Sequence, residues 1–295
     1  MDLSLQDRAS TLIEALPYIQ KYYGKTIVVK YGGNAMVSEE LVEAVTSDIV
    51  MLSLVGVRVI VVHGGGPAIN KMTEALGIKT KKINGLRYTD QATMDVVQAV
   101  LCGQVNKNIV NMINTRGAHA IGICGMDDHL IQAKKLDKGD GIDYGLVGEI
   151  TAIDPTIIGT TLMSDVIPVI STVAEGIDGN KCYNINADTA AAKIAASVHA
   201  EKLILMTDVR GVLRNPKDEN TLIRQILPSE IPYLRQDGIL SGGMIPKVEC
   251  CADALEHGVK RTHILDGRIP HAILIEMLTH RGIGTMIWKG ENNNK

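Results

Sequence analysis

Residues 26–35 read Thr26-Ile27-Val28-Val29-Lys30-Tyr31-Gly32-Gly33-Asn34-Ala35. Ile27, Val28 and Val29 form a continuous apolar run with strong strand preference, and Gly32-Gly33 ends it, so the stretch is a buried strand that delivers one lysine to a glycine turn. A lysine there either serves a ligand or lifts its ammonium out to water. Arg58-Val59-Ile60-Val61-Val62 is a second buried strand, and it runs directly into His63-Gly64-Gly65-Gly66-Pro67. Ala68, Ile69, Met72, Ala75 and Leu76 then recur at helical spacing until Gly77. Between the two strands, Leu41, Val42, Val45, Ile49, Met51 and Leu52 mark a crossing helix over 39–54. Strand, helix, strand, helix is the signature of a parallel sheet with covered faces, and glycine turns before helix N-termini suit phosphate oxygens.

Two common nucleotide motifs fail. Ile69 stands where G-x-G-x-x-G needs its third glycine, and Gly24-Lys25-Thr26 has Ile19 at the partner glycine position of a P-loop and precedes a strand. The 295 residues suffice for one long domain or two lobes. A net charge of -3 provides no basic field, and 3% aromatic residues with no Phe provide no stacking platform, so nucleic acid is not an expected partner. No run approaches the roughly 18 apolar residues of a membrane span. Met1-Asp2-Leu3-Ser4-Leu5 lacks the basic start of a signal peptide. Cys102, Cys124, Cys182, Cys250 and Cys251 include no C-x-x-C pair, so neither a zinc site nor a disulfide framework is expected.

Leu5, Ala9, Leu12, Leu16, Ile19 and Tyr23 form one apolar stripe on an N-terminal helix that Pro17 is expected to kink. The stripe covers either its own domain or another subunit. Arg87 follows the turn Asn84-Gly85-Leu86, where a guanidinium either reaches a carboxylate or faces solvent. Thr89-Asp90 starts a helix running through Leu101, 118–124 is a strand, and 127–152 holds small antiparallel strands at one end of the sheet. Asp154-Pro155 starts a short helix, 166–170 is a strand, and Asp178-Gly179-Asn180 turns a hairpin into Asn184-Ile185-Asn186-Ala187-Asp188. The last three cap the alanine-rich helix of 190–200, yet two asparagines and an aspartate exceed what a cap requires. The strand 202–206 ends in Thr207-Asp208-Val209-Arg210-Gly211, a ligand position by the rule that open sheets bind at the carboxyl ends of their strands. Gly242-Gly243-Met244-Ile245-Pro246-Lys247 sets a lysine in the first turn of another helix, and strands at 261–265 and 284–288 flank a helix over 270–279. The tail, 291–295, is expected to fray.

These motifs in this order resemble the amino acid kinase family, in its branch acting on N-acetyl-L-glutamate; Asn84-Gly85-Leu86-Arg87 and Asn184-x-Asn186-Ala187-Asp188 carry the narrower match. The resemblance implies an α/β fold, a three-layer α/β/α sandwich with a mainly parallel sheet. It implies an oligomerisation helix at 1–25, an amino-acid lobe at 26–185, and a lobe at 186–295 for ATP and a regulatory site. The implied reaction moves the γ-phosphoryl of ATP to the side-chain carboxylate of N-acetyl-L-glutamate. By the same resemblance, Lys30, Lys247 and Asp188 are catalytic, and Gly65, Gly66, Arg87 and Asn184 bind the amino acid. Lys30, Gly32, Gly33, Thr207, Asp208, Gly211, Ile239, Ser241 and Lys247 bind ATP. Magnesium rides on the nucleotide, with no metal ligand from protein side chains. Tyr23, Lys217, His263, Glu276 and Gly282 correspond to an inhibitory arginine site. The resemblance further implies a cytoplasmic hexamer built as a trimer of dimers (in the plastid stroma for an algal or plant source), and the PII nitrogen-signalling protein as a partner in some members. Two alternatives remain open: a kinase of the same family acting on glutamate, aspartate or carbamate, and a non-catalytic arginine sensor or partner-binding protein of this fold.

Overall fold

Ile27 and Val29 enter one hydrophobic core and Val28 enters another, and all three are fully buried. Successive side chains of a strand point to opposite faces, so an unbroken apolar run requires cover on both sides. The computed structural model describes residues 4–36, 38–177 and 182–290 and meets that requirement. Its strands are β1 (Thr26–Tyr31), β2 (Arg58–His63), β3 (Lys82–Ile83), β4 (Leu86–Arg87), β5 (Ala120–Gly125), β6 (Ile131–Lys135) and β7 (Gly148–Ile153). β8 (Ile167–Gly176), β9 (Cys182–Asn184), β10 (Lys202–Thr207), β11 (Gln225–Ile226), β12 (Arg261–Asp266) and β13 (Thr285–Trp288) follow.

The main sheet runs β11-β13-β12-β10-β1-β2-β8-β6-β7, with β5 and β9 also pairing with β8. Its centre is parallel: Lys30 is level with Val62 of β2 and with Leu205 of β10. Antiparallel pairs occur toward the ends, β12 with β13 and β6 with β7. β3 and β4 form a separate hairpin that presents Arg87. The expected lobes 26–185 and 186–295 share this one sheet.

The helices are α1 (Leu5–Tyr22), α2 (Glu39–Leu54), α3 (Gly66–Ala75), α4 (Gln91–Gln98), α5 (Asn106–Thr115), α6 (Thr156–Met163), α7 (Ala187–Ser197), α8 (Ile231–Gln236), α9 (Met244–Glu256) and α10 (Ala272–Leu278). α7 and α9 bring Ala191, Ile194, Val248 and Leu255 to the face that receives Val28. α2, α5 and α10 bring Ile49, Ile113 and Ile273 to the face that receives Ile27 and Val29. Alanine dominates α7 because it lies directly on β1, β2 and β10, where small side chains allow close approach. Local signals start several helices: Asp90 accepts from Thr93 N at 2.8 Å, and Asn186 accepts from the backbone N–H groups of Asp188 and Thr189.

α1 continues through Pro17 to Tyr22 as one helix. The hairpin turn expected at Asp178-Gly179-Asn180 and the tail at 291–295 lie outside the described residues. Among the described residues, no helix is long and apolar enough to cross a membrane.

Candidate active site

Because β1, β2 and β10 are adjacent and parallel, their carboxyl ends set Lys30, the glycines after His63, and Thr207 side by side. The amide of Gly64 donates to the carbonyl of Tyr31 at 3.1 Å and ties the two glycine turns together. Lys30 is only 9% exposed. Its ammonium does not reach out to water; Nζ lies 3.0 Å from Asp188 Oδ1. The lysine folds back over its own turn, its ammonium 3.4 Å from where a Cβ on Gly32 would stand, an ordinary contact distance.

Asp188 comes from the first turn of α7, and its second oxygen, Oδ2, is 2.5 Å from Lys247 Nζ in the first turn of α9. Burial alone would raise the pKa of this carboxyl, but Lys30 and Lys247 outweigh burial and hold it below the ordinary aspartate value. The Asn186-Ala187-Asp188 cluster therefore divides its labour: Asn186 is the helix cap, and Asp188 joins two cations.

Lys30 lines a cavity of about 420 Å³ together with Gly32, Gly33, Gly65, Gly66, Arg87 and Asn184. Arg87 donates to Gly66 O at 3.3 Å and to Asn70 Oδ1 at 2.5 Å, and burial lowers its pKa. Asn184 donates to Thr89 Oγ1 at 3.1 Å, and Thr89 is fully buried. A Cβ on Gly65 would come within 2.5 Å of Leu101 Cδ2, so this glycine permits close packing at the cavity floor. The sequence does not single out Asn70, and it marks Thr89 only as a helix start. Asn70 lies within α3 and Thr89 just before α4, and only long-range contact gives either a role at the cavity.

A second cavity, about 310 Å³, is lined by Thr207, Asp208, Gly211, Ile239, Ser241 and Lys247. Gly211 has φ 144° and a Cβ there would lie 2.6 Å from Thr285 Oγ1, which excludes other residues on two counts. Lys30 belongs to the first cavity, Lys247 to the second, and Asp188 joins them. Gly32 and Gly33, expected at the nucleotide, lie on the first cavity's side of that joint. Among the described residues, no group of three His, Cys, Asp or Glu side chains is placed to hold a metal ion.

A third cavity, about 520 Å³, lies where the last turn of α1 meets β12 and α10, and contains His263, Glu276 and Gly282. His263 Nδ1 is 2.8 Å from Glu276 Oε1, and the amides of Ile283 and Gly284 donate to Oε2 at 2.7 and 3.2 Å. Burial opposes ionisation of Glu276, yet these donors hold its pKa at about 2. Burial lowers Lys202 to about 8, with its ammonium 4.8 Å from the centre of the Tyr22 ring. Tyr23 and Lys217 do not join this cluster. α1 ends at Tyr22, and Tyr23 turns out with extended geometry to cover Gly56, so the tyrosines facing the cavity are Tyr18 and Tyr22. Lys217 sits in a separate turn, its amide donating to Asn215 Oδ1 at 3.0 Å.

The sequence profile described as the amino acid kinase family matches residues 25–266. Acetylglutamate kinase of Clostridium beijerinckii is 54% identical over 286 residues, covering 97% of this chain and all of that protein. Acetylglutamate kinase of Clostridioides difficile is 51% identical, covering 96% and 98% of the two chains. Among solved structures, N-acetylglutamate synthase from Neisseria gonorrhoeae, complexed with coenzyme A and N-acetyl-glutamate, superposes with a TM-score of 0.84 at 26% identity. That match covers 96% of this chain and 64% of the synthase chain. Carbamate kinase from Giardia lamblia, at 19% identity and TM-score 0.64, shares the fold, with 90% of this chain and 99% of that chain covered. The chain belongs to the amino acid kinase family, in its acetylglutamate kinase branch.

Proposed function

We propose that this chain is an ATP-dependent kinase that transfers the γ-phosphoryl group to the side-chain carboxylate of N-acetyl-L-glutamate, giving an acyl phosphate and ADP in arginine biosynthesis. The observation that carries this reading is the Asp188 bridge, which sets one lysine in each of two adjoining cavities. The acceptor carboxylate is already ionised near neutral pH, so the chemistry needs no general base. It needs two anions brought together in line and the charge between them neutralised.

On this reading Lys30 faces the transferring phosphoryl group from the amino-acid side, and Lys247 faces the β-phosphate from the nucleotide side. Asp188 holds both ammonium groups in place; with each oxygen engaged by a cation and its pKa depressed, it is no base. The amides of Gly33 and Gly65 donate to phosphoryl oxygens. Arg87 pairs with the α-carboxylate of the substrate, and Asn184 holds its acetamido group. Thr207, Asp208, Gly211, Ile239 and Ser241 enclose the nucleotide. Magnesium would be carried on the nucleotide and would add charge neutralisation there; Asp188, already paired with two lysines, is not free to ligate it.

The decisive experiment measures ADP release with N-acetyl-L-glutamate, glutamate, aspartate and carbamate as acceptors. Turnover preferring N-acetyl-L-glutamate supports the reading, whereas a preference for another acceptor, or no turnover with any, sinks it. The same assay with arginine tests a regulatory reading. On that reading arginine occupies the cavity holding His263, Glu276 and Gly282, with Tyr18 and Tyr22 of α1 beside it. This reading makes the protein a cytoplasmic enzyme, inhibited by arginine as a hexamer held through α1.

A further inference from the structure

His63 and Asn106 are buried, polar and outside the roles assigned above: His63 is 0% exposed and Asn106 is 1% exposed. Their hydrogen bonds allow only one arrangement of protons. Asn106 Nδ2 lies 2.8 Å from the carbonyl of Val169, which can only accept, and Asn106 Oδ1 lies 3.0 Å from the ammonium of Lys107, which can only donate. The amide orientation is thereby fixed, with nitrogen toward Val169 and His63. His63 Nε2, 3.1 Å from Asn106 Nδ2, must accept. The neutral imidazole then carries its proton on Nδ1, and Nδ1 donates to the carbonyl of Gly64 at 2.9 Å. Burial agrees, since it pushes the His63 pKa down to about 4 and keeps the ring neutral.

A planar trans peptide points its N–H opposite to its C=O. Holding the Gly64 carbonyl against His63 therefore fixes the opposite direction for the Gly65 N–H, and Gly65 lines the cavity that contains Lys30. The chain puts a glycine there at the cost of backbone freedom, so something must hold the peptide plane. The helix is also adapted to the task. Between α4 and α5 the segment Ala99–Val105 is π-helical, and Asn106 N bonds to Leu101 O, five residues back. That wider turn brings Leu101, which packs on Gly65, and Asn106, which bonds His63, to one face.

We propose that His63 and Asn106 are positioning residues for phosphoryl transfer: Asn106 fixes the Nδ1–H tautomer of His63, and His63 clamps the Gly64 carbonyl so that the Gly65 N–H faces the transferring group. The proposal rests on the kinase reading for its consequence, but the tautomer does not depend on it. Nitrogen-15 NMR of histidine-labelled wild-type protein is expected to give His63 a protonated Nδ1 and a bare Nε2 at pH 7; the opposite tautomer, or an imidazolium, overturns the proposal whatever the protein's activity.

In N-acetylglutamate-dependent turnover, His63→Leu and Asn106→Leu are expected to lower kcat by about 10²-fold, the loss of one preorganised donor, while both KM values stay within about threefold. His63→Asn, whose amide can replace the Nδ1 donor, is expected to recover most of the loss. Folded His63→Leu with kcat within about threefold of wild type overturns the proposal, as does His63→Asn no better than His63→Leu. Should His63→Leu not fold, the nitrogen shifts in the wild type and in Asn106→Leu decide, the clamp requiring that the Nδ1–H preference be lost in the variant. Wild-type protein with the stated tautomer but no turnover would count against the kinase reading and leave the clamp standing.

Discussion

Lys30 and Lys247 are held by opposite oxygens of one carboxylate, Asp188 Oδ1 at 3.0 Å from the first and Oδ2 at 2.5 Å from the second. Two ammonium groups converging in a largely enclosed site repel each other unless an anion lies between them. Asp188→Asn keeps the shape and removes that anion. The expected result is a stability loss of about 3 kcal/mol, the lower end for breaking a buried ion pair, together with a fall in turnover as the lysines move apart. Chemical denaturation and ADP release measure the two effects. A variant as stable and as active as its parent would show that the bridge is incidental.

Removing either cation tests its share in the chemistry. Lys30→Ala and Lys247→Ala are each expected to lower kcat by about 10²–10³-fold, the usual cost of one transition-state donor. Either folded variant keeping half of the parental turnover would remove that lysine from the mechanism.

Arg87 already donates to Gly66 and Asn70, so its guanidinium enters the cavity in a set orientation. Arg87→Lys retains the charge and loses the planar fork. The KM for N-acetyl-L-glutamate is expected to rise by about tenfold, one hydrogen bond to a charged group, with the KM for ATP little changed. Unaltered dependence on the acceptor would assign Arg87 to holding the β3–β4 hairpin instead.

Much of this site could be read from the chain because its parts sit at the ends of strands whose Ile and Val runs are unmistakable. Lys30, the glycines after His63, Thr207 and Lys247 each adjoin a local signal that fixes strand end, turn or helix start. What the sequence hid depended on contacts distant in the chain. The helix that starts at Thr89-Asp90 can be followed in the sequence through Leu101, and only the π-helical turn shows that it continues to Asn106 with its face shifted. Tyr23 continues the four-and-three spacing of α1, but the helix stops one residue earlier and Tyr22 takes the inward position, 4% exposed. Asn70 has no local signal and Thr89 signals only a helix start; their importance lies in holding Arg87 and Asn184.

Acid should destabilise the fold in a defined window. His63 and His263 are both buried and lowered to about 4 from the ordinary 6.5, burial being the main cause for each. Between those values the unfolded chain binds protons that the folded chain refuses, so stability falls as pH drops from about 6.5 to 4 and these two groups contribute no further loss below it. Each contributes at most on the order of 3 kcal/mol. Glu276, held at about 2, extends the loss downward, because its stabilisation is complete above the unfolded value of 4.5 and vanishes as pH falls toward 2. Urea midpoints at pH 7, 5.5 and 4.5 should decrease in that order; equal midpoints would mean that the histidines are solvated.

Helix α1 divides into two parts. Leu5, Leu12, Ile13 and Leu16 are exposed at 83%, 66%, 68% and 44%, whereas Tyr22 belongs to the core beneath β1 and lies beside Lys202. A row of exposed leucines on a soluble helix marks an interface. The sheet begins at Thr26, and Tyr22 packs into the core on its face while the side chains of that row stay exposed. Removing residues 1–16 should therefore leave stability and N-acetylglutamate-dependent turnover near their parental values while lowering the assembly to a smaller oligomer. Removing residues 1–23 should have the same effect on assembly and in addition lower stability by about 3 kcal/mol, the usual cost of truncating a large buried aromatic side chain. On the proposed regulatory reading, coupling between arginine beside Tyr18 and Tyr22 and the distant active site needs a second state supplied by an assembly joined through α1, so an arginine response should disappear in both truncations. Sedimentation velocity, urea unfolding and an arginine titration separate the three effects. If the shorter truncation sediments like the parent and responds fully to arginine, the exposed leucines join no other subunit, and the role given to α1 fails.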